Sequence, residues 1–162
     1  MRTLEITAYT FDELSETAKQ VALYNNRDFN TNHDWWDWTY QDAENFGIKI
    51  LSFDVYYEKI DIRLTLDPLD VANNILNECG PTTDLYSIGE EYITGYNKLV
   101  VTGSDTDEKL EELASVFKHA LRKDYIGILA REYDYLESDE AVTEALMANM
   151  CEFTEDGKNL KY

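Results

Sequence analysis

Catalysis needs a reactive group and a partner to activate it, and few side chains in this sequence offer the first. His33 and Asp34 are neighbours in "HDWWDW", residues 33–38, which also holds all three tryptophans. A general base must lie within hydrogen-bond reach of the group it serves, and adjacency along the chain does not provide that. His119 falls in the polar part of a helical pattern, where solvent, Glu112 or Ser115 would satisfy it. Cys79 and Cys151 stand alone, with no CxxC spacing and no further thiol to build a zinc site. No GxSxG turn presents a serine nucleophile, and neither phosphate-cradling pattern, GxxxxGK or GxGxxG, occurs.

Metal chemistry has one candidate segment, "GSDTDEKLEE". Asp105 and Asp107 match the first two ligand positions of a calcium loop, but Lys109 and Leu110 occupy the fifth and sixth places, where a ligand and the turn glycine belong. Helix capping accounts for these acids better. "TEDGKN" reads as a turn with one carboxylate too few. No catalytic residue, metal ligand set or cofactor site is expected. A carboxylate-dependent hydrolase stays only as an alternative, because so many acids can always be paired on paper.

What remains is charge. Lys and Arg number 14 against 33 Asp and Glu, a net charge of −19 spread along the whole chain. Such a field repels nucleic acid and anionic membranes and attracts basic surfaces. Direct nucleic-acid or membrane binding is therefore not expected, and a basic protein or nucleoprotein complex is the expected partner. Glu108, Glu111 and Glu112, and again Glu140 and Glu144, recur at helical spacing. That spacing sets carboxylates about 5–6 Å apart, of the same order as the phosphate repeat along a nucleic-acid strand. The competing reading is a solvated face on an acidic protein.

The elements that carry these residues follow from pattern. "TLEITAY" alternates Leu4, Ile6 and Ala8 with polar residues, the mark of a half-buried strand. A helix follows, with capping-box spacing at Thr10 and Glu13, a second cap at Ser15, and Leu14, Ala18, Val21, Ala22 and Tyr24 on its buried side. A second helix is expected from about Asp34 to Phe46, stopped by Gly47. It buries Trp36, Tyr40 and Ala43, with Trp35, Thr39 and Phe46 beside them, and leaves Trp38 pointing away as an interface anchor.

"IKILSFDVYYEKIDIRLTL" predicts a hairpin with Leu51, Phe53, Val55 and Tyr57 on one face and Ile60, Ile62, Leu64 and Leu66 returning, turning near Tyr57–Lys59. Ile48 and Ile50 are out of phase with Leu51 and Phe53, which predicts a bulge or bend. Asp67-Pro68 opens a helix carrying Val71, Ala72, Ile75 and Leu76, and Gly80-Pro81 closes it. "TDLYSIGEEYITGYNKL" is ambiguous, since Gly89 and Gly95 interrupt any long element. A helix capped by Ser104 or Asp105 follows, with Leu110, Leu113, Ala114, Phe117 and Leu121 as its core stripe. Acids come early in it and Lys118, Arg122 and Lys123 late, the order a helix dipole favours, with the helix free to continue past Gly127 to Leu136. Ser138 caps a last helix. Together these predict one α+β domain over residues 1–162: a small antiparallel sheet, made of the N-terminal strand plus the central hairpin, packed with about five helices.

"YTFDELSETAKQVAL", "DWWDWTYQDAENFGIKI" and "SDEAVTEALMANMCEFTEDGK" resemble a family of small acidic bacteriophage and prophage proteins. The likeness spans most of the chain, and its motifs are structural ones. It implies action in the cytoplasm of a bacterial host. By class, it implies an inhibitor of host defence, of the anti-CRISPR or anti-restriction kind, that occludes a basic nucleic-acid-binding surface. Trp38, Glu108, Glu111, Glu112, Glu140 and Glu144 are the candidate contacts. An antitoxin-like or phage-assembly module that neutralises a basic partner is the alternative of another kind.

Overall fold

The computed structural model describes residues 5–160, which form two compact units. One joins the segments up to Trp35 and from Glu132 onward; the other runs from Trp36 to Arg131. Among the described residues there are six α-helices and one two-stranded antiparallel sheet, an α+β composition with a small sheet.

In the first unit, Thr10 and Glu13 act as their spacing predicts. The Thr10 amide and hydroxyl both donate to Glu13 Oε2, at 2.8 and 2.9 Å. The turn they close is a short 3-10 segment, Phe11–Glu13, and Ser15 caps the helix proper, α1 (Glu16–Asn25), by accepting from the Ala18 amide. Phe11, Leu14, Ala18, Ala22 and Leu23 pack with Val142 and Leu146 of the last helix, α6 (Asp139–Ala148), and with Phe153. Tyr24 is instead 80% exposed, and Leu23 takes the buried place.

The N-terminal strand is not found where it is described. Residues 5–8 are exposed and irregular, and only Tyr9 makes a bridge, to Phe153; Thr3 and Leu4 lie outside the described residues. Alternation alone cannot make a strand without a ladder to join. The C-terminal turn closes this unit. Gly157 has φ +81, and a Cβ built there would stand 2.1 Å from the Ala18 carbonyl oxygen. Buried Asn26 donates to Asn159 Oδ1 and accepts from its amide in return, both at 2.8 Å, across 133 residues of chain. The Arg27 guanidinium donates to the Glu137 carbonyl at 2.8 Å and to Asp139 Oδ1 at 2.6 Å, satisfying a carbonyl past a helix end.

In the second unit, α2 (Asp37–Phe46) starts three residues later than its pattern suggests, because the chain through Asp34–Trp36 is a turn in which the Trp35 amide donates to the His33 carbonyl. Gly47 ends α2 at φ +88, with the side chain of Leu66 resting where a Cβ would be. Strands β1 (Ile48–Asp54) and β2 (Lys59–Leu64) pair antiparallel, and the register slips between Ile50 and Ser52. That is the bulge the broken phase predicts. It turns Leu51 outward, 46% exposed, so Ile48, Ile50 and Phe53 make the inner face with Ile60, Ile62 and Leu64. The turn lies at residues 55–58, slightly earlier than expected, with Glu58 at φ +50. Tyr57, at its tip, is exposed rather than inward, as is Leu66 beyond the strand end.

Helix α3 (Pro68–Glu78) begins as the sequence predicts: Asp67 Oδ1 accepts from the Leu69 amide at 3.0 Å and Pro68 occupies the first turn. The ambiguous segment is one unbroken helix, α4 (Asp84–Val101). Its glycines are contact points. A Cβ at Gly89 would meet the Ala72 carbonyl and Ile75 at 3.3 Å, and one at Gly95 would meet Leu113 at 2.8 Å. Absence of a side chain there permits close packing against α3 and α5, and burial outweighs the roughly 1 kcal/mol helix cost of each glycine. Helix α5 (Asp107–Leu136) does run through Gly127 to its full length; neither Ser104 nor Asp105 caps it, and Thr106 Oγ1 accepts from the Lys109 amide instead. Phe117, Leu121 and Tyr125 of α5 enter a core with Ala43, Phe46, Ile48, Ile62, Val71, Ile75 and Tyr92. No helix among the described residues is long and apolar enough to cross a membrane.

Candidate functional site

The three tryptophans of "HDWWDW" meet three fates. Trp35 is buried in the first unit, its ring 5.7 Å from that of Tyr133. Trp36 lies in the second unit against Phe53, at 5.4 Å, and Tyr40, at 6.5 Å. Trp38 is 81% exposed on the first turn of α2. Helix spacing puts Gln41 and Asp42 on the same side, three and four residues on, and both are exposed, as are Asp34 and Asp37. Trp38 is thus a solvent-exposed indole with exposed acidic residues near it in sequence, and indole is a side chain enriched among binding hot spots.

The acids singled out by spacing are all exposed: Glu108, Glu111 and Glu112 in the first two turns of α5, and Glu140 and Glu144 on α6. They belong to different units, three in the second and two in the first. Glu112 also lines a hollow of about 520 Å³ together with Lys98 and Lys109, so its surroundings are mixed in sign. Glu108 and Glu111 do not line that hollow.

Nucleophiles are placed poorly for reaction. Burial, and after it Asp42, Asp124 and Glu78, push the Cys79 thiol above its ordinary range, and burial does the same to Cys151. Both thiols are thereby held in the unreactive protonated form. Tyr125 is buried with a hydroxyl that has no hydrogen-bond partner among the described residues, and burial raises it strongly. Among the described residues no three His, Cys, Asp or Glu side chains gather as a metal site. "GSDTDEKLEE" serves as the entry to α5, and "TEDGK" as the turn around Gly157.

One grouping escapes the sequence. A cleft of about 780 Å³ opens between the hairpin and the middle of α5. His119, Arg122, Lys123 and Ile126 form one wall; Phe53, Asp54, Glu58, Lys59, Ile60 and Asp61 supply the other. With α5 running to Leu136, Arg122 and Lys123 lie mid-helix, whereas dipole stabilisation is confined to the last turn. Their position therefore has no capping explanation. His119 makes no hydrogen bond to Glu112 or Ser115 among the described residues, and it faces this cleft instead. The signal was the spacing 119, 122, 123, 126, one helix face, but its second wall lies some sixty residues earlier. No family model, curated protein or solved structure matches this chain.

Proposed function

We propose that this protein is a non-enzymatic binding module that docks an acidic, tryptophan-bearing surface onto a basic surface of a partner protein. The observation that carries the reading is Trp38, 81% exposed and set among exposed carboxylates on a rigid helix. An exposed indole costs solubility unless something covers it, and the acids around it select for Lys- and Arg-rich partners. The net charge of −19 would speed such association and make it fall with salt.

The basic groove of a nucleic-acid-handling host complex is the partner class this chemistry fits best. That is the mode of an anti-CRISPR or anti-restriction inhibitor of phage origin, acting in the bacterial cytoplasm. Glu108 and Glu111, with Glu112 as a further contact, would stand where phosphates otherwise bind, and Glu140 and Glu144 would offer a separate acidic contact on the other unit. Competition tests this directly: the captured partner should release a labelled oligonucleotide as the protein is added. A partner that binds tightly yet keeps its nucleic acid would point to an antitoxin-like or assembly module.

A further inference from the structure

The cleft between the hairpin and α5 is separate from the Trp38 surface in its chemistry, because its α5 wall is basic in an otherwise acidic protein. Arg122 and Lys123 make no ion pair among the described residues, although 33 acids are available in the chain. The helix contributes His119, Arg122 and Lys123, whereas the strand register sends the side chains of Asp54, Lys59 and Asp61 to the hairpin face opposite Phe53 and Ile60. The inner face of the hairpin meets this helix with an apolar surface of Phe53 and Ile60, joined by Ile126 of α5. Phe53 is held by ring contacts to Trp36 at 5.4 Å and Tyr40 at 6.1 Å, so this surface is pre-formed.

A ligand that fits must be anionic at one end and apolar at the other. It needs an oxyanion for the arginine fork and the lysine, and a flat apolar body for Phe53 and Ile60. Arginine matches phosphate bidentately and lysine serves it as a point charge. The volume lies within the range of small-molecule sites, roughly 300–1,000 Å³. A nucleic-acid strand is disfavoured, because the overall charge of −19 repels a run of phosphates more than a single one. We infer that this cleft binds a nucleoside monophosphate, with the phosphate on Arg122, Lys123 and His119 and the base against Phe53.

Calorimetric titration of the full-length chain with AMP, CMP, GMP and UMP tests this, with inorganic phosphate, adenosine and a short oligothymidylate as comparison ligands. At least one monophosphate should bind saturably at one site per chain, more tightly than phosphate or its own nucleoside. Arg122→Gln with Lys123→Gln should weaken it roughly tenfold or more, with an unchanged melting temperature. Lys123→Gln alone, at an exposed position, gives a smaller loss and keeps the test intact if the double variant unfolds. Trp36 adjoins Phe53, so tryptophan fluorescence in a Trp38→Phe background should change with the same midpoint. No saturable binding of any monophosphate up to about 1 mM, affinity untouched by the substitutions, or tighter binding of the oligothymidylate would each overturn the assignment.

Discussion

The ring of Trp36 stands edge-on to that of Phe53, with centroids 5.4 Å apart and planes at 76°. The contact joins the start of α2 to β1, just past the bulge that returns Phe53 to the inner face. It also divides the tryptophan cluster into residues that hold the fold and one that does not.

Trp36→Ala should therefore cost stability, about 2–3 kcal/mol for a partly buried indole with two ring partners. Trp38→Ala, at a position 81% exposed, should stay within about 0.5 kcal/mol of the parent. Urea unfolding of both variants checks the division. Equal destabilisation by the two would mean that Trp38 is packed after all.

Gly157 and Gly103 make a second contrast, since both have positive φ, at +81 and +64. A methyl group at Gly157 would collide with the Ala18 carbonyl, whereas at Gly103 it meets nothing within 4 Å. Gly103→Ala is expected to cost about 1 kcal/mol, the conformational term alone. Gly157→Ala should cost clearly more, on the order of 3 kcal/mol, because backbone must move. Thermal melts of the two variants compare them on one scale.

Asp156 supplies a pH prediction. Hydrogen bonds from Lys158 and Thr154 hold its carboxyl down to about 2, from an ordinary 3.8. A folded-state value below the unfolded one contributes stability above the unfolded value, and that contribution is lost as pH falls through the folded one. Asp156→Asn should thus melt slightly lower than the parent at pH 7, and the gap should close as pH drops from about 4 to about 2. The group is fully exposed, so the difference is small, and a carboxyl-carbon NMR titration measures the shift more directly.

Local signals were legible in the sequence where one short segment decides the outcome. Asp67-Pro68, Ser15, Ser138 and Gly47 each act within a turn of their own position, and the phase break at Ile50 and Leu51 marks the bulge. Features set by distant partners were not. Gly89 and Gly95 look like breaks until Ile75 and Leu113 are seen packed on them. Ile6 and Ala8 alternate as a strand would, but no ladder meets them. Trp38 could be singled out, because its helix face had already been filled by Trp36 and Tyr40. The cleft could not, because Arg122 and Lys123 seemed explained by a helix end that lies thirteen residues beyond Lys123, at Leu136.

Docking through Trp38 and the acids of α5 onto a basic partner is a proposal that capture from a host lysate can decide. Its most direct test is affinity capture from nuclease-treated bacterial lysate, at low and high salt, with two baits compared side by side. One bait is the parent protein; the other carries Trp38→Ala, Glu108→Lys and Glu111→Lys and is shown by circular dichroism to be folded. A basic nucleic-acid-binding protein captured by the parent at low salt, released at high salt and absent from the variant is the predicted result. The same proteins on both baits, or none that salt releases, would rule out docking through these residues.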